Sequence, residues 1–322
     1  MRPSLAGWMK ADSKSASASA PGSLMILGEH AVLRGRRAMV CSIERRAKVE
    51  VRRRNDGRLA IRSALGRWET SVTSPQRDDR FAFVVETARC CGFVPGGPGL
   101  EISISSRIPP GVGLSSSAAV TVATAAALLR LGGRMPESEK VFKLALEAVR
   151  KVQGTGSGAD VAAAVWGGLL VYCADPLRVD RLPVTPPLVV VFSGARASTA
   201  AAVAQVERRV RALSRLFESV FDVMDASVEE AVPILKQRPP DWKKFALLLD
   251  VNQGMMQALG VVTASLAEAV RRLRDDPGIL GAKVSGAGGG DCVIGLGDLQ
   301  GPTPGLRVLD VRAAPEGLQW HE

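Results

Sequence analysis

Histidine is scarce in this chain: 322 residues contain only His30 and His321. That argues against a histidine-built metal centre and against a serine-hydrolase triad, both of which need imidazole at the reacting centre. Five cysteines, two of them adjacent at Cys90-Cys91, show neither a disulfide framework nor the Cys-x-x-Cys spacing of a zinc site. They fit a reducing cytoplasm. Aromatic residues make up 4%, too few to give the basic stretches a platform for stacking bases. No apolar run reaches the ~18 residues of a membrane span, so no membrane partner is expected. Two nucleotide signatures are missing as well. There is no Gly-x-x-x-x-Gly-Lys-[Ser/Thr] loop, and no Gly-x-Gly-x-x-Gly between a strand and a helix with an acidic residue at the right distance.

The chain does have a basic excess, 42 Lys and Arg against 32 Asp and Glu, concentrated between Glu44 and Arg67. A nucleic-acid surface is one reading of that cluster. The other is a solvated strand face, because Lys48, Arg52 and Arg54 alternate with Val49, Val51 and Arg53. Without interleaved aromatics the second reading is preferred, and no nucleic-acid partner is expected. The positive field would still help to draw in anionic substrates.

The length suits two domains, and the order of signals indicates an α+β chain. Residues 1–19 read as a flexible Ser/Ala-rich tail. Strands are predicted at Ser23–Leu27, Ala38–Ile43, Ala47–Arg53, Leu59–Ser63, Leu100–Ser106 and Leu169–Cys173. Helices are predicted over Phe81–Cys91, from about Val120 to Leu131, and from about Pro136 to Val152, with Gly96–Gly99 as a loop. A proline-rich connection, Pro176 to Pro187, marks a boundary, giving domains 20–182 and 183–322. Beyond it lie a strand at Leu188–Phe192, long helices over roughly Val203–Met224, Trp242–Leu249 and Ser265–Arg274, and a strand at Val293–Leu296.

Chemistry-bearing residues gather in glycine- and serine-rich stretches. In Pro109-Pro110-Gly111-Val112-Gly113-Leu114-Ser115-Ser116-Ser117-Ala118-Ala119, prolines stop a strand, glycines allow a tight turn, and three serines open an apolar helix. A helix start exposes unpaired N–H groups and the positive end of a dipole, which suits phosphate. Serine hydroxyls there could cap the helix, bind phosphate or ligate Mg2+. Gly154–Asp160 and Lys283–Cys292 are two further stretches of this kind.

Three stretches, two of them among these, resemble the motifs of the GHMP kinase superfamily, in family order and near family spacing. Ala20–Leu33 looks like the first motif, and its Gly28-Glu29-His30-Ala31-Val32 form is similar to mevalonate kinases. The Pro109–Ala119 stretch resembles the second motif, the ATP phosphate loop. Val284–Cys292 resembles the third. The resemblance implies a two-domain fold, with an N-terminal domain of ribosomal-protein-like topology and a ferredoxin-like C-terminal domain. It implies ATP and Mg2+ as cofactors, mevalonate as the small-molecule substrate phosphorylated on its primary hydroxyl, and a cleft between the domains. It also allows a homodimer.

Carried over residue by residue, Asp160 matches the catalytic aspartate that orients or deprotonates the accepting hydroxyl, with a helix N-cap as the bland alternative. Pro110, Gly111, Gly113, Leu114, Ser115, Ser116, Ser117 and Ala118 would contact ATP, and Ser116 and Ser117 would also meet the metal. Glu29, His30, Gly286, Ala287 and Gly288 would line the substrate pocket beside Asp160. Two positions depart from the family. Ser23 stands where mevalonate kinases usually carry lysine, and Val149 aligns with the metal-binding glutamate. Gln153–Ala164 and Gly288–Cys292 look more like phosphomevalonate kinases, so phosphomevalonate is the alternative acceptor. A catalytically silent, metabolite-binding relative is the alternative from another class.

Overall fold

The computed structural model describes residues 13–74, 76–93, 99–133 and 135–321. Its first half builds one sheet around a long antiparallel pair. Strand β1 (Ser15–Leu27) lies beside β2 (Ala38–Arg54), from Ser15 opposite Arg52 to Leu27 opposite Met39. Next in the chain come β3 (Arg58–Ser63), β4 (Gly66–Ser71), helix α1 (Ala82–Cys90) and β5 (Gly99–Ser106). β5 takes the Ala47–Arg54 half of the second edge of β2, and carries β3 parallel to it with β4 outermost. Helices α2 (Ser116–Leu131), α3 (Ser138–Gln153) and α4 (Ala159–Trp166) follow. The hairpin β6 (Leu169–Ala174) and β7 (Leu177–Leu182) then fills the other half of that edge, with β6 opposite Ala38–Cys41.

Composition decides which helix lies deepest. α2 is rich in alanine and apolar on every side, so it packs against β1 and β2 as a buried central helix. α3 is amphipathic: Val141, Phe142, Ala145, Ala148 and Val149 are buried, while Glu139, Lys143 and Glu147 face solvent.

The second half contains β8 (Leu188–Phe192), α5 (Thr199–Ala212), α6 (Ser214–Lys236), α7 (Trp242–Ala258), α8 (Ala264–Arg274), β9 (Ile279–Ser285), β10 (Cys292–Gly297) and β11 (Arg307–Leu309). Its sheet runs β11-β8-β10-β9 with every neighbour antiparallel. That is the order of a ferredoxin-like split βαβ sheet, here with four helices in the first crossover and a loop before β11. The two halves share a core in which Leu24, Ile26, Leu27 and Met39 pack with Val190, Phe245, Leu249 and Ile294.

Several expected boundaries move. The flexible tail over 1–19 is overturned for Ser15–Ser19, which lie in β1 with Ala16 and Ala18 buried. Small side chains carry little strand propensity, so neighbours rather than composition impose the strand. Residues 1–12 lie outside the described residues, as do Gly96, Gly97 and Pro98 of the expected loop. Segment 183–322 does not stay in one domain. Ala314 N donates to Ser42 O, and the last strand, β12 (Gln319–His321), pairs with β1. The proline-rich connection contains β7, and the strands expected at Ala38–Ile43 and Ala47–Arg53 are one. The helix expected over Val203–Met224 breaks at Leu213, whose φ of −141° and ψ of 57° are non-helical, separating α5 from α6. The helix expected from Val120 begins at Ser116.

The basic cluster is a solvated strand face. Val49 and Val51 are fully buried, Arg52 pairs with Glu50 at 2.7 Å, and Arg54 pairs with Asp56 and with Glu69.

Candidate active site

The first-motif turn, the serine loop, the turn after α3 and the third glycine run meet in one cleft of about 290 Å³ between the two halves. Glu29, His30, Gly111, Gly113, Leu114, Ser115, Ser116, Ser117, Asp160, Gly286 and Ala287 all line it. Three expected residues do not. Pro110 is exposed beside the lining, and Ala118 is buried in the first turn of α2. Gly288 is turned against Val261, where an added Cβ would lie 2.6 Å from the Val261 carbonyl oxygen.

The serine loop is not an ordinary capped helix start. Ser115 occupies the N-cap position in the left-handed region, φ 54° and ψ 37°, and its side chain makes no cap hydrogen bond. An N-cap residue normally sits in the extended region with its oxygen bonded to a first-turn N–H, so this hydroxyl and the first-turn donors are left for a ligand. Gly111 and Gly113 have φ of 67° and 77°. Both are also closely approached from the other half. A Cβ on Gly111 would lie 2.7 Å from the Arg196 Cζ, and one on Gly113 would lie 2.6 Å from the Asp291 Cβ.

Asp160 is not the N-cap of its helix; Gly158 is, with φ 90°. Tyr172 holds that turn, its hydroxyl donating to Ser157 O at 2.7 Å. The Asp160 carboxylate accepts one local bond, from Val161 N at 2.9 Å, and no ion pair reaches it among the described residues. Burial therefore pushes its pKa above the usual aspartate range, only partly offset by the neighbouring backbone N–H groups.

Glu29 behaves differently from the expected substrate contact. It is 2% exposed, and both oxygens are taken: one by the Lys283 ammonium, the other by Asn252 Nδ2 at 2.9 Å. Asn252 Oδ1 also accepts from Gly28 N at 3.2 Å, and the neighbouring Gln253 Oε1 accepts from Val284 N at 2.8 Å. Lys283 is fully buried, donates to Val284 O as well, and has its pKa lowered by that burial, with Glu29 acting the other way. Glu29 is therefore a clamp between the first and third motifs. His30 lies at the cleft with φ 59°, and burial lowers its pKa. Its Nε2 sits 2.8 Å from Ala287 O, which can only accept, so the proton is on Nε2.

Ser23 is buried, with its N–H donated to Leu114 O, so no cation reaches the cleft from that position. Val149 presents an apolar wall, while Glu147 pairs with Lys151 at 2.8 Å. Tyr172 escaped the sequence reading. Its signal was being the one tyrosine in the chain, placed in an apolar strand where its hydroxyl must find a partner. The clamp role of Lys283 escaped it too, because pairing across 254 residues leaves no local pattern.

Comparison with known proteins finds relatives over most of the chain. The family model for the GHMP kinases N terminal domain matches residues 82–168, and that for the GHMP kinases C terminal matches residues 228–303. The mevalonate kinase of Archaeoglobus fulgidus is 36% identical over 282 residues, covering 87% of this chain and 91% of that protein. That of Thermococcus sibiricus is 33% identical over 297 residues, covering 87% and 88%. The crystal structure of L. major mevalonate kinase in complex with R-mevalonate has a TM-score of 0.79 and 23% identity, covering 96% of this chain and 99% of that one.

Removing one partner of a buried ion pair strands the other charge and costs about 3–5 kcal/mol, whereas removing both costs far less. Lys283→Met should therefore lower unfolding stability by about that amount, and Glu29→Gln combined with Lys283→Met should recover most of it. Denaturant titration of both variants checks this; a double variant no more stable than the single one would refute the clamp.

Proposed function

Because this chain belongs to the GHMP kinase family, we infer that it transfers the γ-phosphoryl group of ATP to the primary hydroxyl of mevalonate, giving 5-phosphomevalonate. The observation that carries the reading is Asp160, a carboxylate without an ionic partner in the same cleft as an uncapped helix start. The mevalonate kinases to which the chain is similar support the choice of acceptor.

Phosphoryl transfer asks mainly for positioning and charge stabilisation. The first-turn N–H groups of α2 and the hydroxyls of Ser115, Ser116 and Ser117 hold the phosphates, and Arg196 lies against the same loop at Gly111. The acceptor hydroxyl is oriented by Asp160, which takes its proton as the new P–O bond forms and the bond from the γ-phosphorus to ADP breaks. A carboxylate raised by burial suits that task, since it holds a proton better than an exposed aspartate.

The donors fit a hard divalent ion: the Ser116 and Ser117 hydroxyls share a cleft with carboxylates, all oxygen ligands. Among the described residues no group of three His, Cys, Asp or Glu could cage a metal, so phosphate oxygens and water would complete the shell. Magnesium bound there supplies charge neutralisation on the phosphates.

Charge favours mevalonate over phosphomevalonate. With Glu29 and Lys283 cancelling each other, the described lining keeps Asp160 and Asp291 and neither lysine nor arginine, and Arg196 lies at its edge against Gly111. A second phosphate would bring about two more negative charges into that lining. His30 and the open space beside Gly286 are the neutral surroundings for the rest of the substrate. The same reading places the reaction in the cytoplasm, in keeping with five free thiols. No helix among the described residues is long and apolar enough to cross a membrane.

Asp160→Asn should lower kcat by at least about a hundredfold while ADP still binds. In the wild type, kcat/KM should fall as pH drops through an apparent pKa above the ordinary aspartate range, because the base works only when ionised. A pH profile flat through that range, or undiminished turnover in Asp160→Asn, would remove Asp160 from the mechanism.

The acceptor is tested by ADP release in parallel assays with mevalonate, phosphomevalonate and galactose at equal concentration. Mevalonate should lead by tenfold or more in kcat/KM, about 1.4 kcal/mol of differential transition-state binding. A tenfold lead for phosphomevalonate would reverse the assignment. No ADP formation with any of the three would favour a silent metabolite-binding protein.

A further inference from the structure

Asp291 stands out at the cleft because its conformation is one that its neighbours tolerate better. It ends the run Gly288-Gly289-Gly290-Asp291 at φ 67°, in the left-handed region where a glycine would fit without strain. Aspartate visits that region more readily than most residues, yet it still carries a cost there that glycine does not. Its backbone is fixed on both sides: its N–H donates to Ala195 O and its carbonyl accepts from Ser193 N, each at 2.8 Å. The carboxylate is thus held at one place, packed against Gly113 and two residues from the first of the three serines.

One oxygen of that carboxylate has work in the protein, and the other has none. Oδ1 accepts from Ala197 N at 3.2 Å. No described donor bonds Oδ2, which would lie 3.2 Å from a Cβ placed on Gly113. Arg196, which precedes Ala197, lays its guanidinium on Gly111; its charge favours the ionised form of Asp291, but it forms no ion pair with that carboxylate. Across the cleft, Val149 supplies no carboxylate. An anionic group aimed at a phosphate-binding loop would repel ATP unless a cation stood between them.

We propose that Asp291 is a protein ligand of the divalent ion that accompanies the nucleotide, acting from the C-terminal half in place of the carboxylate that Val149 lacks on α3. The inference rests on reading the cleft as an ATP site. The oxygen count is reasonable for Mg2+: one carboxylate oxygen, one or two serine hydroxyls, phosphate oxygens and water make six. The ion would then join the N-terminal serine loop to the C-terminal glycine run. Its binding would depend on both halves being in register.

The test needs no acceptor substrate and no turnover. Mn2+ serves as the probe, its free concentration read by electron paramagnetic resonance in the presence of ADP, while calorimetry measures ADP affinity in EDTA. Asp291→Asn keeps the shape, the acceptor for Ala197 N and the tolerance for positive φ, and removes only the charge. It should raise the Mn2+ Kd of the ADP complex at least tenfold, with metal-free ADP affinity unchanged within twofold or tighter. Asp291→Gly, unstrained at this φ, should show the same loss of metal affinity and provides a second folded variant. Wild-type Mn2+ affinity in either variant overturns the proposal. So does an equal loss of ADP affinity with and without metal, which would make Asp291 only a brace for the loop carrying Arg196. A wild-type protein that binds no ADP in either condition removes the nucleotide reading itself, and the inference with it.

Discussion

Lys283 and Glu29 place opposite charges beside each other with almost no access to water, at the meeting point of the two halves. Neither charge would be stable there alone, because the desolvation cost of each is offset only by the other and by the surrounding hydrogen bonds. Those bonds come from the parts that build the cleft. Asn252 ties Glu29 and Gly28 to α7, and Gln253 ties the start of the third glycine run to the same helix. His30 and Ala287 then face each other across the cleft because the residues just before them are clamped. One buried pair thus fixes the spacing between the first and third motifs, and the cleft takes its width from it.

The remaining electrostatics follow from what that pair leaves over. With Lys283 committed, the described lining holds acids without a matching base, and the positive features near the phosphate site are a helix start, an arginine on the serine loop and whatever cation arrives with the nucleotide. In the proposed ATP site, a cation accompanying the nucleotide would remove most of the repulsion between its phosphates and these acids. It also keeps Asp160 without an ionic partner, which is why burial governs that carboxylate. A lysine beside Asp160 would stabilise its ionised form and make it a weaker base.

Much of the site was legible in the sequence because its parts are local. A glycine turn that opens a serine-rich helix, and a Ser-Gly-Ala-Asp turn, each show their chemistry within ten residues, and both lie in the cleft. What stayed hidden is what depends on partners far along the chain. Glu29 reads as a polar residue near a substrate until Lys283 is seen against it. The Ser-Ala alternation of residues 15–19 reads as a tail until β2 and β12 flank it. The break at Leu213 falls inside an unbroken amphipathic pattern, where neither glycine nor proline announces it. Gly288 belongs to a motif by spelling, yet its contact is with Val261, because a glycine run alternates between facing the ligand and passing close to its own scaffold.

The two halves share an apolar core, and that bears on how the groups are aligned. The serine loop and Asp160 belong to the first half, whereas Arg196, Asp291 and the Gly286 turn belong to the second. In the proposed reading phosphate and acceptor therefore each meet groups from both halves. Their distance is set by the packing of Ile26 and Leu27 against Phe245 and Leu249, and by the chain end that returns from β11 to pair with β1. Close-packed interiors resist small displacements, while transfer between misplaced groups loses rate steeply, about a hundredfold for 1 Å. Side chains buried well away from the chemistry, such as Phe245, thus take part in positioning it. A core shared by both halves keeps the reacting groups in place before either ligand arrives, so little binding energy is consumed in bringing them together.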